Sequence, residues 1–205
     1  ETRRFTSPAQ GGAGTSLTMV LLASQAYFAA TQRMKWHRTL GIAMLPLAAV
    51  MIWSAGLSEI RGLQRGILGG QNGGFSAITG SYILPFVVLV AFAWLKRGSP
   101  SAHKRLILMA TASICAGAHL RTFDLFNPGI FWGSESYFMH LLVGFGGSML
   151  IICFGMIYDL AARKALHPVY KSGAPILFGW YALAAWAYSN DSYADFARPI
   201  IEAMG

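Results

Sequence analysis

Residues 136–158 read SYFMHLLVGFGGSMLIICFGMIY, an uninterrupted run without a charged residue. A helix needs about 20 mostly apolar residues to cross the hydrocarbon core of a bilayer, so this run predicts a membrane-spanning helix. Two more uncharged runs of similar length stand between Arg38 and Glu59 and between Lys171 and Asp191. Together the three runs predict three membrane helices.

Three further helices complete the expected bundle. In two of them the apolar sequence begins near Leu17 and near Ile78, whereas the third run, 106–120, is bounded by Arg105 and Arg121. That run is so short that an arginine must reach the membrane surface, or be buried against a partner, or the helix must extend through residue 123. The predicted membrane helices are 15–32, 39–58, 78–95, 104–123, 136–158 and 172–190.

These helices predict an all-α fold, a polytopic membrane helical bundle with six transmembrane helices. We expect residues 1–14 to form a flexible segment on the outer side, residues 15–190 the transmembrane domain, and residues 191–205 a short outward tail. Only 12% of the residues are charged, about half of the ~25% that soluble domains carry. This composition excludes a cytosolic globular enzyme, a disordered chain and a free nucleic-acid binder. Membrane lipids are the expected partners, with no nucleic acid.

The orientation follows from the positions of lysine and arginine, because short cytoplasmic loops carry the positive excess. The loops after the first, third and fifth predicted helices hold most of the basic residues and one acid, Asp159. These basic residues are Arg33, Lys35, Arg38, Lys96, Arg97, Lys104, Arg105, Arg163, Lys164 and Lys171. We therefore expect those loops to face the cytoplasm and both ends of this chain to face the periplasm.

Each of the three inward loops ends with a histidine beside the start of the next helix. The three are His37, His103 and His167, at nearly equal spacing along the chain. Equal spacing is compatible with three repeated helical hairpins. A histidine beside basic residues at a membrane boundary also serves as an interfacial anchor, and this is the interpretation that we adopt for all three.

Several short motifs at these boundaries carry a resemblance to a known group of proteins. They are His37-Arg38-Thr39-Leu40-Gly41, His103-Lys104-Arg105-Leu106, Asp159-Leu160 and Leu166-His167-Pro168. In these motifs the chain resembles a family of uncharacterised bacterial inner-membrane proteins that pair an HRxLG element with an HKRL element and a C-terminal LHP. The resemblance covers most of the chain and implies a multi-pass topology in the bacterial inner membrane. It implies no activity.

His119 and His140 are the candidate ligand pair. They lie on the fourth and fifth predicted helices, each near 10 Å from the midplane when about 1.5 Å is counted per residue. Two imidazoles at one depth on adjacent helices can bind one haem iron axially or contribute to a copper or zinc site. Arg121 would then balance a haem propionate or a nearby carboxylate. The alternative is that both histidines make ordinary hydrogen bonds inside a bundle of small residues.

The sequence contains no motif that assigns a catalytic residue. It lacks a phosphate-binding loop with its lysine, a GxSxG element and an HExxH element. We therefore expect an accessory or ligand-binding subunit of a larger membrane complex, non-catalytic, packed against other membrane subunits with lipid, quinone or pigment between helices. The leading alternative is a b-type haem or metal redox protein that uses His119 and His140. A small-molecule or ion transporter comes third.

Overall fold

The computed structural model describes residues 20–21, 23–68, 75–127, 136–189 and 199, and the elements among them are α-helices. Helix α1 comprises the helical residues 20–21 and 23–30. The other five are α2 (Met34–Leu68), α3 (Phe75–Leu95), α4 (Pro100–Phe126), α5 (Tyr137–Arg163) and α6 (Pro168–Ser189). The all-helical prediction is thereby confirmed for the described residues.

The helices extend beyond the apolar runs that predicted them. Helix α4 begins at Pro100 instead of residue 104, and α5 continues to Arg163 instead of residue 158. The reason is that a charge ends an apolar run but does not end a helix. Helix α4 begins where Pro100 supplies the φ angle suited to a first helical turn. The predicted terminal segments, 1–14 and 191–205, and the start of the first predicted helix lie outside the described residues.

The chain divides into two compact units between Ala55 and Gly56. In the first unit, α1 ends in a tight turn with Gln32 in the left-handed conformation at φ 58°. The backbone N–H of Arg33 donates to the carbonyl oxygen of Phe28 at 2.8 Å. This is the bond that closes a Schellman motif, so α1 ends and α2 begins within four residues.

The second unit contains helices α3 to α6 packed in a ring. Helix α4 packs against α3 and α5, and α6 packs against α5 and α3. Short connections, 96–99 and 164–167, join α3 to α4 and α5 to α6, as expected for antiparallel neighbours. Both connections lie at the same end of this bundle, where Lys96, Arg97, Arg163 and Lys164 stand in or directly beside them, and we call it the basic end.

The centre of this bundle holds a small buried network of hydroxyl groups. The Tyr181 hydroxyl donates to the Ser113 Oγ at 3.0 Å and lies 3.0 Å from the Ser148 Oγ. The Tyr181 ring stacks on Phe145 with 4.5 Å between ring centroids. Around this network alanines such as Ala112 are fully buried, and such small side chains let the helix backbones approach closely. One tyrosine of α6 thereby joins α4 and α5.

Two described helical segments are long and apolar enough to cross a membrane by length and composition. They are Met34–Ser54 within α2 and Tyr137–Arg163, which is all of α5. A shorter apolar stretch, Gly80–Leu95, lies in α3. The chain is therefore compatible with a membrane protein, and six spans remain a prediction.

Candidate functional site

A buried ion pair between Arg105 and Asp159 lies at the basic end of the α3–α6 bundle. The Arg105 Nε donates to the Asp159 Oδ2 at 2.7 Å, and the Nη2 group donates to Oδ1. The two side chains are only 3% and 2% exposed. The contact is bidentate, which is the geometry in which an arginine and a carboxylate bind each other most strongly.

The position of this pair follows from the antiparallel packing of α4 and α5. Arg105 lies in the second turn of α4 and Asp159 lies one turn before the end of α5, so the packing places them at the same height. The Arg105 Nη1 also donates to the backbone oxygen of Ser101 at 2.6 Å and to its Oγ at 2.9 Å. Arg163 donates to the same Oγ at 3.0 Å. Each of the three nitrogen atoms of the guanidinium therefore donates at least one hydrogen bond.

His167 joins helix α6 to this pair. Its backbone N–H lies 3.4 Å from the Asp159 Oδ2, and its ring Nδ1 accepts a hydrogen bond from the Val169 N–H at 3.2 Å. This second bond caps the first turn of α6 and requires an unprotonated Nδ1. Burial lowers the pKa of the His167 imidazole, and the positive charges of Arg105 and Arg163 lower it further. The neutral ring that the cap needs is therefore favoured.

The lowered pKa fixes how this cap depends on pH. The pKa of such a histidine is lower in the folded than in the unfolded protein. Its contribution to the stability of the fold is therefore complete at pH values above the pKa in the unfolded chain, which is about 6.5. That contribution falls as the pH drops below this value, because the unfolded chain then binds the proton more readily.

Three of the boundary motifs meet in this network, through Arg105, Asp159 and His167. The sequence places Arg105 and Asp159 at boundaries between helices and loops but does not pair them with each other. Two features of the sequence indicated that this ion pair was possible. Burial against a partner was one of three solutions for an arginine beside the short run 106–120, and Asp159 was the one acid among the inward loops.

An open groove of about 470 Å³ lies beside the ion pair, between α4, α5 and the start of α6. Its walls are Lys104, Arg105, Leu108, Ile151, Phe154, Gly155, Tyr158, Asp159 and Tyr170. Gly155 lies in close contact with the Tyr170 hydroxyl, which leaves no room for a side chain there. The groove thus has charged groups at one end and apolar side chains along the remainder.

The two other boundary histidines make one and the same kind of contact. The Nδ1 of His37 lies 3.2 Å from the backbone oxygen of Gln25, and the Nδ1 of His103 lies 2.8 Å from that of Ala93. In both pairs the imidazole donates to a carbonyl of the preceding helix. Each histidine stands three residues after the start of its helix, whereas His167 caps the start of its own helix. His37 and His103 thus lie within the first turns of α2 and α4 instead of at the ends of the preceding loops, and their placement at a membrane surface stays a prediction.

His119 and His140 contact different helices. The His119 ring lies against Gly146 and Gly147 of α5, with its Nε2 3.3 Å from the backbone oxygen of Leu142. The His140 side chain is buried, and its Nδ1 lies 2.7 Å from the Ser189 Oγ of α6. His119 is thus packed onto α5, while His140 points to α6.

This arrangement bears on the haem or metal hypothesis. A haem held by both rings would have to lie between them, whereas His119 is held directly against the backbone of α5. Arg121 lies in α4, and its side chain is outside the described residues. Among the side chains that the structure describes, no three histidines, cysteines or acids gather to hold a metal ion. The contacts favour packing and hydrogen bonding for both histidines, and their role as ligands stays a prediction.

Comparisons with protein-family models, with curated proteins and with solved structures find no match for this chain.

We expect loss of one partner of the ion pair to destabilise the bundle. Asp159→Asn and Arg105→Gln should each lower the free energy of unfolding by about 3–5 kcal/mol, because each leaves a buried charge without its partner. Unfolding by denaturant in detergent micelles measures this. The double variant Arg105→Met with Asp159→Leu should recover most of the loss. Arg163→Gln, an exposed control, should cost less than about 1 kcal/mol, and an equal cost would contradict the assignment.

Two neighbouring glycines provide a matched test of the His119 packing. A Cβ at Gly147 would lie 2.6 Å from the His119 Nδ1 and 2.7 Å from its Cγ, whereas one at Gly146 would lie 3.7 Å from the Nε2. Gly147→Ala should therefore cost about 1–3 kcal/mol in the same unfolding measurement. Gly146→Ala should be neutral or slightly stabilising. Adding His119→Ala should relieve the cost of Gly147→Ala, and equal effects of the two alanines would refute the contact.

Proposed function

We propose that this chain is a polytopic protein of the bacterial inner membrane in which all six helices cross the bilayer. We further propose that it acts as a non-catalytic accessory or ligand-binding subunit of a larger membrane complex. The basic end of the α3–α6 bundle faces the cytoplasm in this proposal, and the opposite end faces the periplasm.

The observation that supports a membrane setting is the apolar outer surface of the α3–α6 bundle. Large apolar side chains are exposed at helical spacing along three helices. They are Leu84, Val88, Phe92 and Leu95 of α3, Phe138, Leu142, Leu150, Phe154 and Ile157 of α5, and Ile176, Trp180, Leu183 and Trp186 of α6. Soluble monomers rarely expose contiguous apolar surface of this extent, so it indicates contact with lipid or with other membrane subunits.

Five polar side chains of the same bundle are inside. Arg105, Ser113, His140, Ser148 and Asp159 are all buried. Polar groups directed inward and apolar groups directed outward are typical of helices surrounded by hydrocarbon, where ionisable residues face the interior and pair with one another.

Helix α4 is not apolar enough, by composition alone, to be recognised as a membrane-spanning helix. Lys104 and Arg105 stand at its start and interrupt its apolar character. The pairing of Arg105 with Asp159 lowers the cost of placing α4 in a membrane, because a paired charge is far less costly there than an isolated one. Lys104 is exposed at the end of the helix, where its side chain can reach the membrane surface.

A non-catalytic role is supported by the bonding of the interior polar groups. Tyr181 bonds to the two serines, His140 to Ser189, and Arg105 to Asp159. Groups that bond to one another hold helices together. The Arg105–Asp159 pair beside the groove is engaged in this way as well.

Cysteine labelling tests the membrane topology. In a background with Cys115→Ala and Cys153→Ser, we expect Asn127→Cys to react with a membrane-impermeant maleimide in intact cells. Gly98→Cys and Lys164→Cys should react only after the cells are lysed, because both positions lie in the basic turns. Equal labelling of all three positions in intact cells would overturn the proposed orientation.

Gentle purification from membranes tests the accessory role. We expect the chain to co-purify with other membrane subunits at a fixed ratio, and the variants His119→Ala and His140→Ala to retain them. Ultraviolet-visible spectra of the same sample, oxidised and dithionite-reduced, with metal analysis, test the redox alternative. A reduced haem spectrum near one equivalent per chain, lost in either variant, would replace the proposal with a b-type haem redox protein.

A further inference from the structure

The groove beside the ion pair has a charged end and an apolar end. Lys104 and Tyr158 stand at the charged end, at the basic end of the bundle. From Tyr158 to Ile151 the groove follows two turns of α5, a rise of about 10 Å, so its apolar end lies well inside the bundle's length. A ligand that fits it must have a polar group and an apolar chain about 10 Å or more in length.

The charge of the groove indicates the sign of the polar group. Arg105 contributes one positive charge and Asp159 one negative charge, and these two cancel in the ion pair. The surplus is the single positive charge of Lys104, which is exposed at the rim. An anionic group therefore complements this end of the groove.

The remaining walls indicate the rest of the ligand. Leu108, Ile151 and Phe154 present apolar surface along the groove, and the Phe154 side chain is 67% exposed. A free phosphate ion would leave this surface uncovered. An acyl chain covers it and lies along the helices, in the direction that lipids take in a bilayer.

We propose that this groove binds an anionic phospholipid, with its phosphate at Lys104 and an acyl chain along Leu108, Ile151 and Phe154. The inference rests on the proposed function, because it names the ligand class of a ligand-binding subunit and requires the basic end to face the anionic cytoplasmic leaflet. The Arg105–Asp159 pair forms the wall beside the phosphate and holds α4 and α5 at the spacing that the groove requires.

Lipid titration followed by native mass spectrometry tests this site on the whole chain in detergent micelles. We expect phosphatidylglycerol to bind more tightly than phosphatidylcholine of the same acyl chains. Lys104→Gln should weaken phosphatidylglycerol binding about fivefold, because one lysine is removed from an anionic head group. Phosphatidylcholine binding should weaken less, because the choline ammonium already offsets the charge of its phosphate. The thermal unfolding of Lys104→Gln should match that of the original chain, since the side chain is exposed.

Lys96→Gln is the matched control. Lys96 is exposed in the neighbouring turn at the basic end and does not line the groove, so its loss should change phosphatidylglycerol binding less than twofold. Equal losses in both variants would show diffuse attraction to the basic end and overturn the site. Equal binding of the two lipids would also overturn it. Displacement of the lipid by equimolar glycerol 3-phosphate would identify a free phosphate as the ligand and reject the lipid.

The test of the lipid site and the test of the accessory role can give opposite results. Lipid preference that depends on Lys104, in a chain that co-purifies with no partner, supports the lipid site and rejects the accessory role. A stable complex with partners and no preference between the two lipids rejects the lipid site and leaves the accessory role supported.

Discussion

The ion pair between Arg105 and Asp159 is the constraint on which the arrangement of α4, α5 and α6 depends. A bidentate pair in a buried setting tolerates little displacement, because sliding or rotating either helix would separate two desolvated charges. The backbone of His167 bonds to the same carboxylate, so the start of α6 is fixed together with the end of α5. The position of three helices at the basic end is thus determined by one carboxylate.

Away from the basic end, the contacts between helices are neutral. The hydroxyl groups of Tyr181, Ser113 and Ser148 join three helices at the centre, and the His119 ring fills the space beside Gly147. Neutral hydrogen bonds of this kind contribute about 1 kcal/mol each. These neutral bonds distinguish between helix arrangements that differ little from one another. The charged pair excludes every arrangement in which α4 and α5 are displaced enough to separate Arg105 from Asp159.

The spacing of charges was sufficient to predict the helices and their order, since an uncharged run such as 136–158 has one plausible structure in a chain of this composition. The spacing of charges was not sufficient to predict which side chains of different helices contact each other. Arg105 and Asp159 are 54 positions apart in the sequence, and nothing local to either residue names the other. The common depth of His119 and His140 in a membrane stays a prediction, and depth does not determine the face on which a side chain lies. His119 contacts α5 and His140 contacts α6, so their different partners became visible only in three dimensions.

The bonds that His37 and His103 make to the carbonyls of Gln25 and Ala93 span only 12 and 10 positions of the chain. Contacts this close in sequence need little loop closure, so we expect them to form before the contacts between distant parts of the chain. The hairpins α1–α2 and α3–α4 can therefore each close while the chain is still being synthesised. The pairing of Arg105 must wait until α5 has been made, because its carboxylate partner Asp159 lies on that helix.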